Sequence, residues 1–194
     1  MRRLAAGMFV CVAVVLAGCS TPSTRFYTLS PVATPAAAQS KLAVAVDPVS
    51  VPATIDRPQI VVTTAANQVS MQEYDRWASP LQDNLARVVA EDLAAALGTP
   101  YVVLFQAAPT SNFDYRVQIE VRSFVSAPGK ETALDAVWVV RRTKDGKAQP
   151  GRTSVHEPVQ ADGFDAIAAA HSRAVAKMSQ EIADAVRALD RSAP

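Results

Sequence analysis

Apolar and polar positions along this chain follow two periods, and each change of period marks an element boundary. Between Tyr115 and Val125, apolar side chains at Val117, Ile119, Val121 and Phe124 alternate with Arg116, Gln118, Glu120 and Arg122, the pattern of a strand with one buried face. Ala133 to Arg142 and Arg152 to Val159 carry it on. The Lys144-Asp145-Gly146-Lys147 segment between them holds an Asp-Gly pair, which favours a tight hairpin. The second half therefore predicts an antiparallel meander. Earlier, Phe26-Tyr27-Thr28-Leu29, Leu42 to Val46, Val49-Ser50-Val51 and Ile60 to Thr64 are strand-like runs, punctuated by Pro48, Pro52 and Pro58. Asn67 supplies a turn after which Gln68 to Tyr74 returns, so Ile60 to Tyr74 reads as a hairpin. Tyr101 to Phe105 reads as a buried strand. Ser30 to Ser40, rich in Ala and Pro and without a period, reads as a loop that acts as a spacer.

Two stretches switch to the helical period. Leu81, Leu85, Val88, Val89, Leu93, Ala96 and Leu97 recur at three- and four-residue spacing, with Asp83, Arg87, Glu91 and Asp92 mostly opposite. Ser79-Pro80-Leu81-Gln82 predicts the start, with Ser79 as cap, Pro80 in the first turn and Gln82 closing a capping box; Gly98 and Pro100 predict the stop. The last helix, capped by Asp162, runs through Phe164, Ile167, His171, Val175, Met178, Ile182, Val186 and Leu189, with small Ala166, Ala168, Ala169 and Ala170 among them. No repeat interrupts the order of strands, helix, strands, helix. The expected class is α+β: a largely antiparallel sheet with two amphipathic helices packed on one face.

Length and composition narrow the function classes. At 194 residues the chain suits one domain plus a short appendage, and 49% hydrophobic against 19% charged residues supports a buried core. The formal charge of +1 gives no electrostatic footprint for nucleic acid, which is not expected as a partner. Seven Gly, 13 Pro and two Cys exclude collagen-like, disulfide-scaffold and zinc-ribbon chains.

The N-terminus reads as an address. Arg2 and Arg3 precede an apolar run from Leu4 to Leu16, shorter than the about 20 residues that span a bilayer, so it is an export signal and not a transmembrane helix. The run ends in Leu16-Ala17-Gly18-Cys19, the lipobox pattern of bacterial lipoproteins, in which Leu16, Ala17 and Gly18 fit the signal peptidase. The Cys19 thiol carries diacylglycerol and its freed amine an acyl chain. Residues 1–18 are then the signal peptide, 19–25 the lipidated terminus and tether, and 26–194 one domain. Cys11 leaves with the signal, so no free thiol, disulfide or other cofactor is expected. Each buried CH₂ contributes about 0.8 kcal/mol, so two or three acyl chains hold effectively permanently. Cleavage turns the formal charge of +1 into about −1. Ser20 lacks the Asp that signals retention in the inner membrane of enterobacteria, and resemblance to that rule implies the periplasmic face of the outer membrane. The six-residue tether reaches only about 20 Å.

Candidate chemistry is sparse. The chain has no Gly-x-Ser-x-Gly elbow, phosphate-binding glycine loop or His-Glu-x-x-His helix. Its two histidines are His156 and His171; zinc needs at least three protein ligands, so carboxylates such as Glu157 or Asp162 would have to join them. No metal site is expected. His171 falls on the apolar stripe, where a hydrogen-bonded core histidine is the expectation, and Ser154 with His156 is a chance i, i+2 spacing. Trp77 is expected to pack, with an exposed anchor as the other reading. Arg173, Lys177, Glu181, Asp184 and Arg187 read as a solvated helix face.

Phe26-Tyr27-Thr28-Leu29, Val49-Ser50-Val51-Pro52, Asp56-Arg57-Pro58-Gln59-Ile60-Val61 and Trp77-Ala78-Ser79-Pro80-Leu81 resemble the PqiC/YmbA family of ABC-type transport auxiliary lipoproteins. The likeness continues through Ala90-Glu91-Asp92-Leu93 to Asp162-Gly163-Phe164. It implies a non-enzymatic outer-membrane lipoprotein that works with an MCE-domain membrane protein (PqiB-like) and an inner-membrane partner (PqiA-like) to move lipids and maintain envelope integrity. Only the role of Cys19 transfers residue by residue; no partner-binding residues are implied. The other readings are a stand-alone lipoprotein holding a lipid or other apolar ligand, which a large cavity between helices and sheet would favour, and an envelope hydrolase built on His156 or His171. Open strand edges and the needs of a conduit mouth also make a homo-oligomer an expectation.

Overall fold

The alternation from Tyr115 onward forms the spine of the molecule. In the computed structural model, which describes residues 22–107 and 112–192, β6 (Tyr115–Ala127), β7 (Glu131–Arg142) and β8 (Ala148–Pro158) make the expected meander. Val117 faces Val140, Ile119 faces Trp138 and Phe124 faces Leu134. The slip in period between Val121 and Phe124 is a β-bulge at Val121/Ser123, whose extra residue returns Phe124 to the buried side. Gly146, at φ 72°, takes the left-handed position in the β7–β8 turn.

Ahead of the meander lie β1 (Arg25–Tyr27), β2 (Val44–Val46), β3 (Gln59–Ala65), β4 (Gln68–Trp77), α1 (Leu81–Leu97) and β5 (Val102–Leu104), followed by one 3₁₀ turn, Phe105–Ala107. The class is α+β, with two sheets where one was expected. The larger has the order β5-β2-β6-β7-β8 and the smaller β1-β4-β3. Antiparallel pairing holds the long ladders, whereas β1–β4, β2–β5 and β2–β6 are parallel pairs of three residues each. Val49-Ser50-Val51 contributes one bridge, Ser50 to Glu120, rather than a strand.

Helices α1 and α2 (Phe164–Arg191) pack side by side, α1 over β5 and β2 and α2 over β7 and β8. The layer between helices and sheet is filled by Val88, Leu93, Val175, Met178 and Ile182, all fully buried, which opposes an enclosed ligand chamber there. Gly98 ends α1 as expected, at φ 66°, and a Cβ there would strike the Ala38 carbonyl.

Both helix starts differ from the sequence reading. Helix α1 has Pro80 in the cap position, its carbonyl accepting from the N–H groups of Asp83 and Asn84, while α2 has Gly163 there; neither carries a side-chain cap bond. Each helix begins one residue later than a Ser79 or Asp162 cap requires, so those oxygens sit one position too far back. The Ser30 to Ser40 spacer is strapped down. Its Val32 and Ala33 N–H groups both donate to buried Asp92 at 2.9 Å, Ala36 N–H to the Ala95 carbonyl and Ser40 N–H to the Gly98 carbonyl.

Candidate interaction surface

The polar groups that sequence offered as chemistry turn out to hold elements together. His171 is fully buried: its Nε2 shares a 2.8 Å hydrogen bond with Ser126 Oγ, its ring stacks 3.7 Å from that of Phe124, and the Trp77 ring lies 6.4 Å away. Burial alone pushes its pKa down to about 3, so the ring is neutral at physiological pH and has no water to exchange protons with. The core-histidine reading holds, and Trp77, 5% exposed, packs as expected. His156 is exposed, with Nδ1 3.1 Å from Glu131 Oε1, and Ser154 and Asp162 lie exposed with no catalytic partner drawn to them. Among the described residues no three His, Cys, Asp or Glu side chains gather as metal ligands.

On the charged face of α2, Lys177, Glu181 and Asp184 are exposed as expected and Arg173 and Arg187 half-buried, but the face also pairs with the elements beside it. Arg173 Nε and Lys177 Nζ reach buried Glu157 on β8, at 2.9 and 2.5 Å. Burial pushes the Glu157 carboxyl up, and the two cations outweigh it and hold the carboxyl below its usual range. Glu181 accepts from the Thr153 hydroxyl, which in turn accepts from Trp138 Nε1. Arg187 pairs with Asp184 and donates to the Ala96 carbonyl of α1. These contacts lie at the seams between α2, the sheet and α1, and helix periodicity alone could not show which side faced the sheet edge.

Sequence reasoning also missed Arg142. Almost wholly buried, it donates to the Leu189 carbonyl at 2.7 Å and grips Asp145 with two bonds, at 3.0 and 2.6 Å, closing the α2 C-terminus. That grip holds the Asp145 carboxyl down at about 2. Tyr115 donates to Asp190 beside it, and burial followed by that carboxylate raises its pKa to about 12.

The smaller sheet leaves apolar surface exposed. Strand β3 sends Ile60 and Val62 inward, so Gln59, Val61 and Thr63 face outward beside Arg76, Met71 and Val69 of β4. Phe26 of β1 lies next to Arg76 on that same outward face. Between the Gln59–Arg76 and Ile60–Gln72 pairs, β4 advances four residues against one, a bulge that carries exposed Tyr74. Phe26 is 66% exposed, Val69 57% and Met71 46%. A groove of about 230 Å³ continues the face, between Val61, Thr63 and Val69 on one side and Pro52, Ile55 and Val125 on the other.

Fold and surface together define a class: a small α+β domain of two helices on two mixed sheets. The chain belongs to the ABC-type transport auxiliary lipoprotein component family, whose model matches residues 27–183. Membership makes it a lipoprotein and a transport auxiliary component anchored at an envelope membrane. An uncharacterized protein of known crystal structure shares the fold at TM-score 0.71 and 20% identity, over 85% of this chain and 99% of that one. A Xanthomonas campestris protein of the DUF330 family does so at TM-score 0.67 and 22% identity, over 82% and 93%. No curated protein matches the chain. The residues Leu16, Ala17, Gly18, Cys19 and Ser20 lie outside the described residues.

Proposed function

We propose that this lipoprotein is a non-enzymatic subunit of an MCE-type intermembrane lipid transport system, held at the periplasmic face of the outer membrane by lipid on Cys19. It docks there the conduit of a PqiB-like MCE-domain protein that a PqiA-like inner-membrane partner serves. The family match across residues 27–183 carries the reading. The commitment of His171, Glu157 and Arg142 to structural bonds supports it, because a general base must reach its substrate within hydrogen-bond distance. A homo-oligomeric collar belongs to the same proposal, since β8 ends the larger sheet with one neighbour and a free edge. Light scattering of the lipidated protein in detergent tests the collar, and a monomer at high concentration removes it.

Complementation of a deletion strain under detergent stress, with level and location followed by immunoblot, tests the whole. Cys19→Ala is expected to abolish function with the domain still folded, while His156→Gln and His171→Gln complement. A correctly placed, fully expressed histidine variant that fails overturns the non-enzymatic reading. Recovery of the parent protein in inner-membrane fractions overturns the location.

A further inference from the structure

The chain enters its first strand from a particular end of the smaller sheet. Because β1 runs parallel to β4, residues preceding Arg25 come from the end where β4 itself begins, at the Ala65–Gln68 turn of the hairpin. Cys19 lies six residues before Arg25, so a lipid carried there keeps Arg25, and Phe26 beside it, within about 20 Å of the bilayer surface. The outward face of this sheet carries Phe26, Met71 and Val69, all exposed, with Pro52, Ile55 and Val125 flanking it only across the groove beside Val69. Arg57, which donates to the Met71 sulfur, and Arg76, whose guanidinium pairs loosely with exposed Glu73 at 3.6 Å, stand among these side chains with groups that also suit phosphate. An aromatic, a thioether and arginines on one exposed face are the composition of a surface that rests where acyl chains meet headgroups.

We propose that the outward face of the β1-β4-β3 sheet and its hairpin turn rest on the lipid surface to which the protein is anchored, fixing the orientation of the domain above the membrane. The proposal rests on the Cys19 anchor of the preceding reading. Phe26 and Met71 insert at the headgroup level, Val69 follows at the turn, and Arg57 and Arg76 meet lipid phosphates. The meander end marked by Lys144 then points away from the bilayer, because the hairpin packs against Arg122–Val125, at the far end of β6 from Tyr115.

The mature chain has no cysteine free for labelling, so introduced thiols report singly. Lipidated full-length protein carrying Met71→Cys, Val69→Cys or Lys144→Cys is labelled with an environment-sensitive fluorophore and reconstituted in vesicles of phosphatidylethanolamine and phosphatidylglycerol that contain a lipid-borne quencher. The expected result is blue-shifted emission, quenched several-fold more strongly at positions 69 and 71 than at 144. Protein that floats with the vesicles yet shows water-like emission at all three positions overturns the docking and leaves the anchor standing. Protein that carries no acyl mass and does not float removes the anchor and the docking together. Shielded, unquenched probes at position 71 that crosslink to one another overturn the docking in favour of a second copy on this face. Phe26→Ser combined with Met71→Ser is expected to lower the quenching at position 69 with the melting temperature unchanged, and undiminished quenching counts against the proposal.

Discussion

The meander and the three-stranded sheet are both built from alternating strands, yet they treat their outward faces in opposite ways. Along β6 the outward positions are Gln118, Glu120 and Arg122, all exposed and all polar. Across β1, β4 and β3 they include Phe26, Met71, Val69 and Val61. The inward faces show no such contrast, for Ile60 and Val62 are as buried as Val117 and Val140. Burial accounts for every inward apolar side chain, and a scattered exposed one needs no account, but several exposed on one sheet face point to something that covers them.

Acid is expected to break the boundary between the two regions first. His171 lies where Trp77 of the small sheet meets Phe124 of the meander, and its folded pKa of about 3 lies well below the ordinary histidine value. Below that ordinary value the unfolded chain binds a proton that the folded chain refuses, so stability falls as pH drops through the window between the two. The slope is about 1.4 kcal/mol per pH unit, or roughly 3 kcal/mol by pH 4. Denaturant melts of the parent and His171→Gln across this window check it: the variant is expected to start about 1 kcal/mol less stable and to show a flatter acid limb.

Gly151→Val tests how tightly the meander is filled. A Cβ at Gly151 would fall 2.2 Å from the Trp138 ring, and both residues lie opposite one another in the β7–β8 ladder. Overpacking of this kind costs about 2 kcal/mol, readable as a lower urea midpoint, with loss of the Trp138 to Thr153 bond visible in tryptophan fluorescence.

The strap over α1 gives a comparable but separable effect. Burial raises the Asp92 pKa, and the Val32 and Ala33 N–H donors offset part of that rise. With its folded pKa above the unfolded one, its titration favours folding most below the ordinary Asp value, and that advantage is lost as pH rises through the raised one. Asp92→Ala is expected to cost about 2 kcal/mol by stranding two donors, whereas Asp92→Asn keeps the acceptor and loses less stability as pH rises. Equal losses in both variants would show that the strap is not held through this oxygen.

The smallest effect on stability is expected on the outward face of the small sheet. Phe26→Ser with Met71→Ser should change the folding free energy by no more than about 0.5 kcal/mol, because both side chains already meet solvent. A larger loss would mean that these residues pack within the domain, and the contrast between the two sheets would narrow.

How much of this was legible depended on the range of the interactions. Alternation over Tyr115 to Val125, the helical spacing through Leu81 to Leu97 and Phe164 to Leu189, the Asp145-Gly146 turn and the Gly98 stop all express short-range geometry, and each stands where it was expected. The buried, hydrogen-bonded state of His171 was readable for the same reason, since its place on the apolar stripe leaves one direction to point.

Partners distant in sequence were another matter. The run from Leu42 to Val46 was readable as a strand, but only the assembled sheet places Val44–Val46 between β5 and β6. The division into two sheets was hidden in the same way, and the strap on Asp92, the grip of Arg173 and Lys177 on Glu157 and the closure of α2 by Arg142 join residues from 16 to 60 positions apart. Nothing in local spacing distinguishes such a charged residue from one in water. The amino-acid sequence by itself determined the α+β class, the helices and the meander, because those follow from periods of two and 3.6 residues. Only the tertiary structure decided which polar groups are paired in the interior and which apolar face is left open, because burial is a property of what the folded chain brings together.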